Sequence, residues 1–290
     1  MGSRGKISIE MRDISAEVII DNVKQACIEA CNVLPDDVAE ALKRARAIEK
    51  SPAGRDVLDQ LIENAEIART EDVPICQDTG FALVFVELGQ DAHIIGGSLY
   101  DAINEGVRRG YAEGYLRKSI VRHPLDRVNT GDNTPAVISV EIVPGDHLKV
   151  AIAPKGGGSE NMSIAKVLKP ADGFEGVKRF VMETVKNAGP NPCPPIIVGV
   201  GLGGTLEKAA LLSKKALLRK VGEPSANSRD ADIERKLLEA VNETSVGPAG
   251  YGGLVTALAV HVESYPCHIA SLPVAITIQC HAARHKEFII

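Results

Sequence analysis

The sequence predicts an α/β protein in which a helical N-terminal region packs on a mixed sheet flanked by helices. Three observations predict it. Over the first 70 positions, apolar residues recur on a helical period of about 3.6. Beyond residue 80 the pattern changes to β-branched apolar runs separated by helical stretches. Aromatic residues make up only 3% and Trp is absent, while hydrophobic residues reach 44%, so the core is aliphatic. The chain accordingly divides into a helical region over residues 1–70 and an α/β region over 71–290 that carries the candidate site.

In order, Ile14, Val18, Ile19, Val23, Ala26, Cys27, Ala30 and Leu34 share one helical face, and Pro35 ends that helix. A second helix starts at Asp36 and buries Val38, Leu42 and Ala45. Ser51-Pro52 is a cap followed by a first-turn proline and opens a third helix through Leu58, Leu61, Ile62 and Ala65. Phe81–Leu88 reads as a strand and Ser98–Leu116 as a helix. Ala136–Val143 and His147–Ala153 read as strands, and Pro144-Gly145-Asp146 between them signals a hairpin. Lys155–Ser159 is a glycine-rich loop leading to a short helix over Met162–Leu168. Phe174–Asn187 is helical; Pro195–Val200 is a short buried strand, followed by glycine-rich 201–204 and a helix to Lys220. Asp230–Asn242 is a helix, 247–253 a loop, and Leu254–Val262 and Ile269–Ile278 are apolar strands.

Composition excludes several function classes. A chain of 290 residues buries a sizeable core without disulfide staples. The net charge is -5, so the basic footprint of a nucleic-acid binder is missing, as are aromatic platforms for bases. No run approaches the ~18 apolar residues of a membrane span. Met1–Glu10 is polar and lacks the apolar core of a secretory signal. A reducing, cytoplasmic setting is therefore expected, where thiols serve as core residues, nucleophiles or metal ligands.

Six cysteines are present. Cys76, Cys193 and Cys280 each lie at a strand edge or in a loop ordered by Pro or Gly, and such loops can converge on one point. Three thiolates with one open coordination position suit a catalytic metal site, and soft sulfur ligands favour iron–sulfur or zinc. The alternative is that all three are small buried hydrophobes, since no CxxC pair is present. Cys27 and Cys31 share a helix face with Ala26 and Ala30 and read as packing, with an i,i+4 ligand pair as the alternative; Cys267, next to His268, carries the weakest signal.

Gly199-Val-Gly-Leu-Gly-Gly204 matches the glycine fingerprint of dinucleotide sites in the right strand–helix context. Too few strands follow to build a nucleotide-binding half, so a tight strand–helix turn is the better reading. In Lys155-Gly-Gly-Gly-Ser-Glu-Asn161, consecutive glycine N–H groups at a helix start suit a carboxylate or phosphate. Asp78, Arg117, His123, His268, His281 and His285 form the ionisable set. If the cysteines converge, Asp78 and His268 become candidates for a proton relay.

Taken together, Pro74-Ile-Cys-Gln-Asp-Thr-Gly80, Leu116-Arg-Lys-Ser119, Lys155–Asn161, Pro192-Cys-Pro-Pro-Ile196, Gly199–Gly204 and Cys280-His281 resemble the class I, iron–sulfur fumarate hydratases, above all the alpha subunit of the two-subunit form. The related L-tartrate dehydratase alpha subunits share much of the pattern. The similarity runs from about residue 10 to the end. The resemblance implies a [4Fe-4S] cluster held by Cys76, Cys193 and Cys280, with a fourth iron free to bind substrate. It implies that Gln77, Asp78, Arg117 and Gly157 hold a C4 dicarboxylate, and that Asp78 and His268 handle the proton of the leaving water. It further implies reversible hydration of fumarate to L-malate, or alternatively dehydration of L-tartrate to oxaloacetate. Single-chain members carry a second domain that supplies the base acting on the carbon-bound proton. This chain ends soon after Cys280, so a beta subunit and an α2β2 assembly are expected, without nucleic-acid or membrane partners. Two other classes compete: a nucleotide-dependent oxidoreductase using Gly199–Gly204, and a non-enzymatic subunit holding zinc.

Overall fold

The computed structural model describes residues 11–290, and the polar Met1–Glu10 stretch lies outside the described residues. In chain order the elements are β1 (Arg12–Ser15), α1 (Ala16–Asn32), α2 (Asp36–Ile48), α3 (Pro52–Glu71), β2 (Phe81–Gly89), β3 (Ala92–Ile95), α4 (Leu99–Glu113), β4 (Val137–Val143), β5 (Leu148–Lys155), α5 (Gly157–Glu160), β6 (Ile164–Leu168), α6 (Gly173–Ala188), β7 (Ile196–Gly203), α7 (Leu206–Ala216), α8 (Ser228–Asn242), β8 (Ala257–Tyr265), β9 (Leu272–Gln279) and β10 (Lys286–Ile289). The fold is mixed α/β, as the sequence predicts, and its contacts divide into two units.

The first unit takes in the described residues up to Ala30, Thr79–Pro154 and His285–Ile290. Its sheet has the order β10-β5-β2-β4, with β2 parallel to β4 and β10 antiparallel to β5. A small parallel pair, β1 with β3, stands beside it, so Ile14 belongs to a strand and not to the first helix. The predicted hairpin is not formed: β2 lies between β4 and β5. The end of β2 threads the turn instead, with Gln90 N–H donating to Val143 O (2.8 Å), Asp91 N–H to Gly145 O (2.9 Å) and Gly89 N–H to His147 O (2.8 Å). A Cβ on Gly89 would stand 2.4 Å from Gly145 O, so this threading requires glycine. Helices α1 and α4 approach closely at Gly106, opposite Val23, and at Gly110, opposite Cys27. Cys27 is thus a packing residue, as its helix face implies.

The second unit takes in Cys31–Asp78 and Lys155–Arg284. Its sheet runs β6-β9-β7-β8; β7 pairs parallel with β8 and antiparallel with β9. Side chains alternate across β7. Val198 and Val200 face the apolar cluster that includes Val181 of α6 and Leu237 of α8. Ile197 faces the cluster built with Leu42 of α2 and Leu58 of α3. Gly199 and Gly201 meet α7 so closely that a Cβ would stand 2.0 Å from Ser213 O and 1.9 Å from Ala209 O. The fingerprint glycines therefore let a helix lie against a strand, and Gly203 and Gly204 (φ +87 and +65) make the turn that follows.

Residues 164–168 form β6 and not the predicted helix, which is confined to the short α5 upstream. They pair with β9 at the sheet edge, with side chains exposed or half-buried. An edge strand of this kind leaves no one-sided apolar pattern to read. Among the described residues, no helix is long and apolar enough to cross a membrane.

Candidate metal centre

All three candidate cysteines belong to the second unit. Cys76 follows α3, whose end is turned by Asp72 in the left-handed conformation (φ 53). Ile75 N–H donates to Cys31 O (3.0 Å) and Asn64 Nδ2 donates to Ile75 O (2.9 Å), so the residue before Cys76 is held on both sides. The Cys76 thiol lies 3.4 Å from Gln77 Oε1. Cys193 sits between α6 and β7 with φ +53, and its N–H donates to Pro190 O (3.0 Å). Its carbonyl accepts from His281 N–H (3.3 Å), the residue after Cys280, which in turn directly follows β9. Backbone bonds thus bring the Cys193 and Cys280 segments together.

The thiols sense one another. Cys193 is exposed, yet partial desolvation by its neighbours pushes its thiol up, and the nearby Cys76 adds to the shift. Burial also raises Cys280; Arg284 and Lys155 pull it back, and Cys76 again raises it. Cys76 and Cys280 pack against the same apolar cluster. Buried Cys31 joins the neighbourhood, its thiol pushed up to about 11 by burial, with Arg284 opposing and Cys76 and Asp78 adding. Among the described residues, no set of three or more His, Cys, Asp or Glu side chains is drawn tightly enough around one point to hold a single metal ion.

Asp78, two residues after Cys76, accepts from Gly157 N–H through Oδ2 (2.8 Å). The amide that the sequence reserved for a ligand carboxylate holds the chain's own. A Cβ on Gly156 would stand 3.1 Å from the same oxygen, so glycine at 156 leaves room for the approach. Below this loop lies Lys155, 1% exposed, whose Nζ donates to Ser159 Oγ (2.6 Å). Burial pulls its pKa down to about 8, against the opposing effects of Glu160 and Cys280. Glu160 is shared with Lys214 (2.5 Å), which ties α5 to α7.

Arg284 was not legible as a site residue. It is 4% exposed, and its Nη2 donates to the Asp78 carbonyl. Its Nε and Nη1 are buried without a hydrogen-bond partner among the described residues. The only sequence signal is a charge four places after Cys280.

Gln77 is exposed beside Cys76. Arg117 is exposed in the first unit, where Thr79 Oγ1 donates to its carbonyl (3.1 Å). His268 precedes β9 whereas Cys280 follows it, and eight strand residues span roughly 26 Å. The chain therefore does not bring His268 to the three thiols. It lines a groove of about 770 Å³ with Tyr265, Cys267, Asn227 and Asp230. His123 is exposed, 3.7 Å from Asp126.

The donor set fits an iron–sulfur group. Three thiols on separate segments act electrostatically on one another, and soft thiolate donors suit iron–sulfur chemistry. Two buried cations, Arg284 and Lys155, stand by to offset its negative charge.

A model of the family described as fumarate hydratase (Fumerase) matches residues 20–289. A Methanocaldococcus jannaschii protein provisionally named an L(+)-tartrate dehydratase subunit alpha is 45% identical over 274 residues, 92% of this chain and 95% of the relative. The L(+)-tartrate dehydratase subunit alpha of Escherichia coli O157:H7 is 34% identical over 261 residues, 89% of this chain and 86% of the relative. With nearly its whole length matched, the chain belongs to the fumarate hydratase (Fumerase) family, together with the tartrate dehydratase alpha subunits.

Proposed function

We propose that the chain is the alpha subunit of a two-subunit iron–sulfur hydro-lyase that adds water across the double bond of fumarate to give L-malate. The observation that carries this reading is the meeting of the Cys76, Cys193 and Cys280 segments next to the Asp78 carboxylate. A second reading, dehydration of L-tartrate to oxaloacetate, is favoured by the names of the relatives. Both remove or add water at a C4 dicarboxylate, so both use the same arrangement.

Cys76, Cys193 and Cys280 would hold a [4Fe-4S] cluster. When bound, it supplies a Lewis-acidic iron that makes hydroxide a better leaving group. Asp78 carries the proton of the leaving water at a carboxylate oxygen. Gln77 and the Gly157 N–H orient the substrate on the same side, and Arg117 offers a bidentate clamp for a carboxylate. Asp78 and an incoming carboxylate compete for the Gly157 N–H, so substrate entry frees Asp78 to take part. His268, assigned to the same proton by resemblance, would have to act across the length of β9 or from another copy. The base for the carbon-bound proton comes from a beta subunit in an α2β2 complex, a partnership supported by relatives that are named as alpha subunits. A cytoplasmic setting keeps the thiols reduced.

The test is anaerobic co-purification with the partner chain, metal and sulfide analysis, and assays on fumarate, malate and both tartrate enantiomers. Iron and sulfide with water addition or removal are expected. Zinc at about one per chain, nicotinamide binding, or turnover without iron overturns the proposal.

A further inference from the structure

Among the described residues, Arg284 is the buried cation near the thiols whose donors are left over. A guanidinium stays protonated under all ordinary conditions and carries five N–H donors with no acceptor. Desolvating it without a partner is costly, and native chains rarely leave such a group unmatched. Here the side chain is 4% exposed, and two of its three nitrogens, Nε and Nη1, have no hydrogen-bond partner among the described residues. The Asp78 carbonyl takes only Nη2 and is neutral. The neighbouring Cys31 offers no counter-charge, since it remains a thiol at neutral pH. Asp78 Oδ2 accepts from the Gly157 N–H. Its bond to the Asp78 carbonyl, two residues after Cys76, and its place four residues after Cys280 put Arg284 in the same neighbourhood as the ligand set. Lys155 is buried too, but Ser159 and Glu160 partner it. What fits Arg284 is an anion rich in sulfur acceptors.

We infer that Arg284 is the charge-compensating and positioning residue of the iron–sulfur group, its Nε–H and Nη1–H reserved for sulfur of that group and its Nη2–H, on the Asp78 carbonyl, tying the Cys76–Asp78 segment to the Cys280–Arg284 segment. This rests on the iron–sulfur reading above and assigns a residue to it. Hydrogen bonds to sulfur and nearby positive charge hold such a group and raise its reduction potential. Without the group, the same charge is a burden on the fold.

The full chain is reconstituted anaerobically with iron and sulfide as the parent, Arg284→Lys, Arg284→Gln and Arg284→Met. Iron affinity, midpoint potential and the melting temperature of the metal-free chain are read. In Arg284→Met, iron affinity is expected to fall by about 10–100-fold. Its midpoint potential moves down, and the metal-free chain melts no lower than the parent. Arg284→Lys keeps the charge and restores most of the potential. A Met variant that binds iron as the parent does, at the parent's potential, overturns the inference and leaves the hydro-lyase reading intact. A parent that takes up no iron and sulfide overturns both. If Arg284→Met does not fold, Lys against Gln decides: a lower potential in Gln supports the inference, and equal potentials overturn it.

Discussion

Asp78 and Gly157 stand 79 positions apart in the chain and are joined by one hydrogen bond, Gly157 N–H to Asp78 Oδ2 at 2.8 Å. It fixes the carboxylate that follows Cys76 against the start of α5.

The space for that bond is set at Gly156, where an added Cβ would stand 3.1 Å from Asp78 Oδ2. Gly156 has φ -71, so alanine fits the backbone and only the carboxylate has to give. Gly156→Ala is expected to lower kcat/KM of the reconstituted complex on the order of tenfold through misplacement of Asp78. Stability should stay within about 0.5 kcal/mol of the parent. Gly158→Ala, whose Cβ meets only Asn191 O at 3.5 Å, is the control and should match the parent in steady-state assays.

The glycines of β7 serve packing. Gly201→Ala drives a Cβ to 1.9 Å from Ala209 O, backbone that cannot move without shifting α7. A loss of about 3 kcal/mol or failure to fold is expected. Urea unfolding measures it; a change under about 1 kcal/mol contradicts the close-packing account.

Thiol reactivity should follow exposure. Cys193 and Cys267 are exposed, Cys27 and Cys31 buried. Alkylation of the metal-free chain near neutral pH, read by mass spectrometry, is expected to mark Cys193 and Cys267 first and Cys31 last. After reconstitution Cys193 should be protected and Cys267 should still react. The Cys31 thiol is raised from 9.0 to about 11, so the folded chain keeps a proton that the unfolded chain loses. The stability this represents is fully present below about pH 9 and is lost as pH rises toward 11.

Glu49 anchors the α2–α3 connection. It is fully buried, and its carboxylate accepts backbone N–H bonds from Lys50 (2.8 Å), Ser51 (3.0 Å), Leu254 (2.8 Å) and Val255 (3.0 Å). Burial pushes its pKa up, but these donors outweigh it and hold the carboxyl below 4.5. A depressed carboxyl stabilises the fold above that value and loses its contribution as pH falls through the lower, folded value. Glu49→Ala is expected to cost about 3 kcal/mol in denaturant unfolding near neutral pH, and less under acid conditions. A cost that does not shrink at low pH contradicts this account.

Local chemistry was legible in the sequence wherever one residue or one face decides the outcome. Ser51-Pro52 opens α3, with Ser51 Oγ accepting from Gly54 N–H, and the apolar period of α2 buries Val38, Leu42 and Ala45 as expected. The three loop cysteines and Asp78 stand out in the sequence as candidates through their Pro- and Gly-ordered loops. Tertiary structure decided what depends on distant partners. The Pro144-Gly145-Asp146 turn promised a hairpin, yet β2 enters between its strands, because ladder hydrogen bonds are exchanged with whichever strand the fold brings alongside. Residues 164–168 became a strand because β9 offered an open edge. His268 and Cys280, only twelve positions apart, were parted by the straight run of β9, while Asp78 and Gly157 were joined. Burial of the Arg284 charge is invisible in composition, since desolvation depends on every segment packed around it and on none alone.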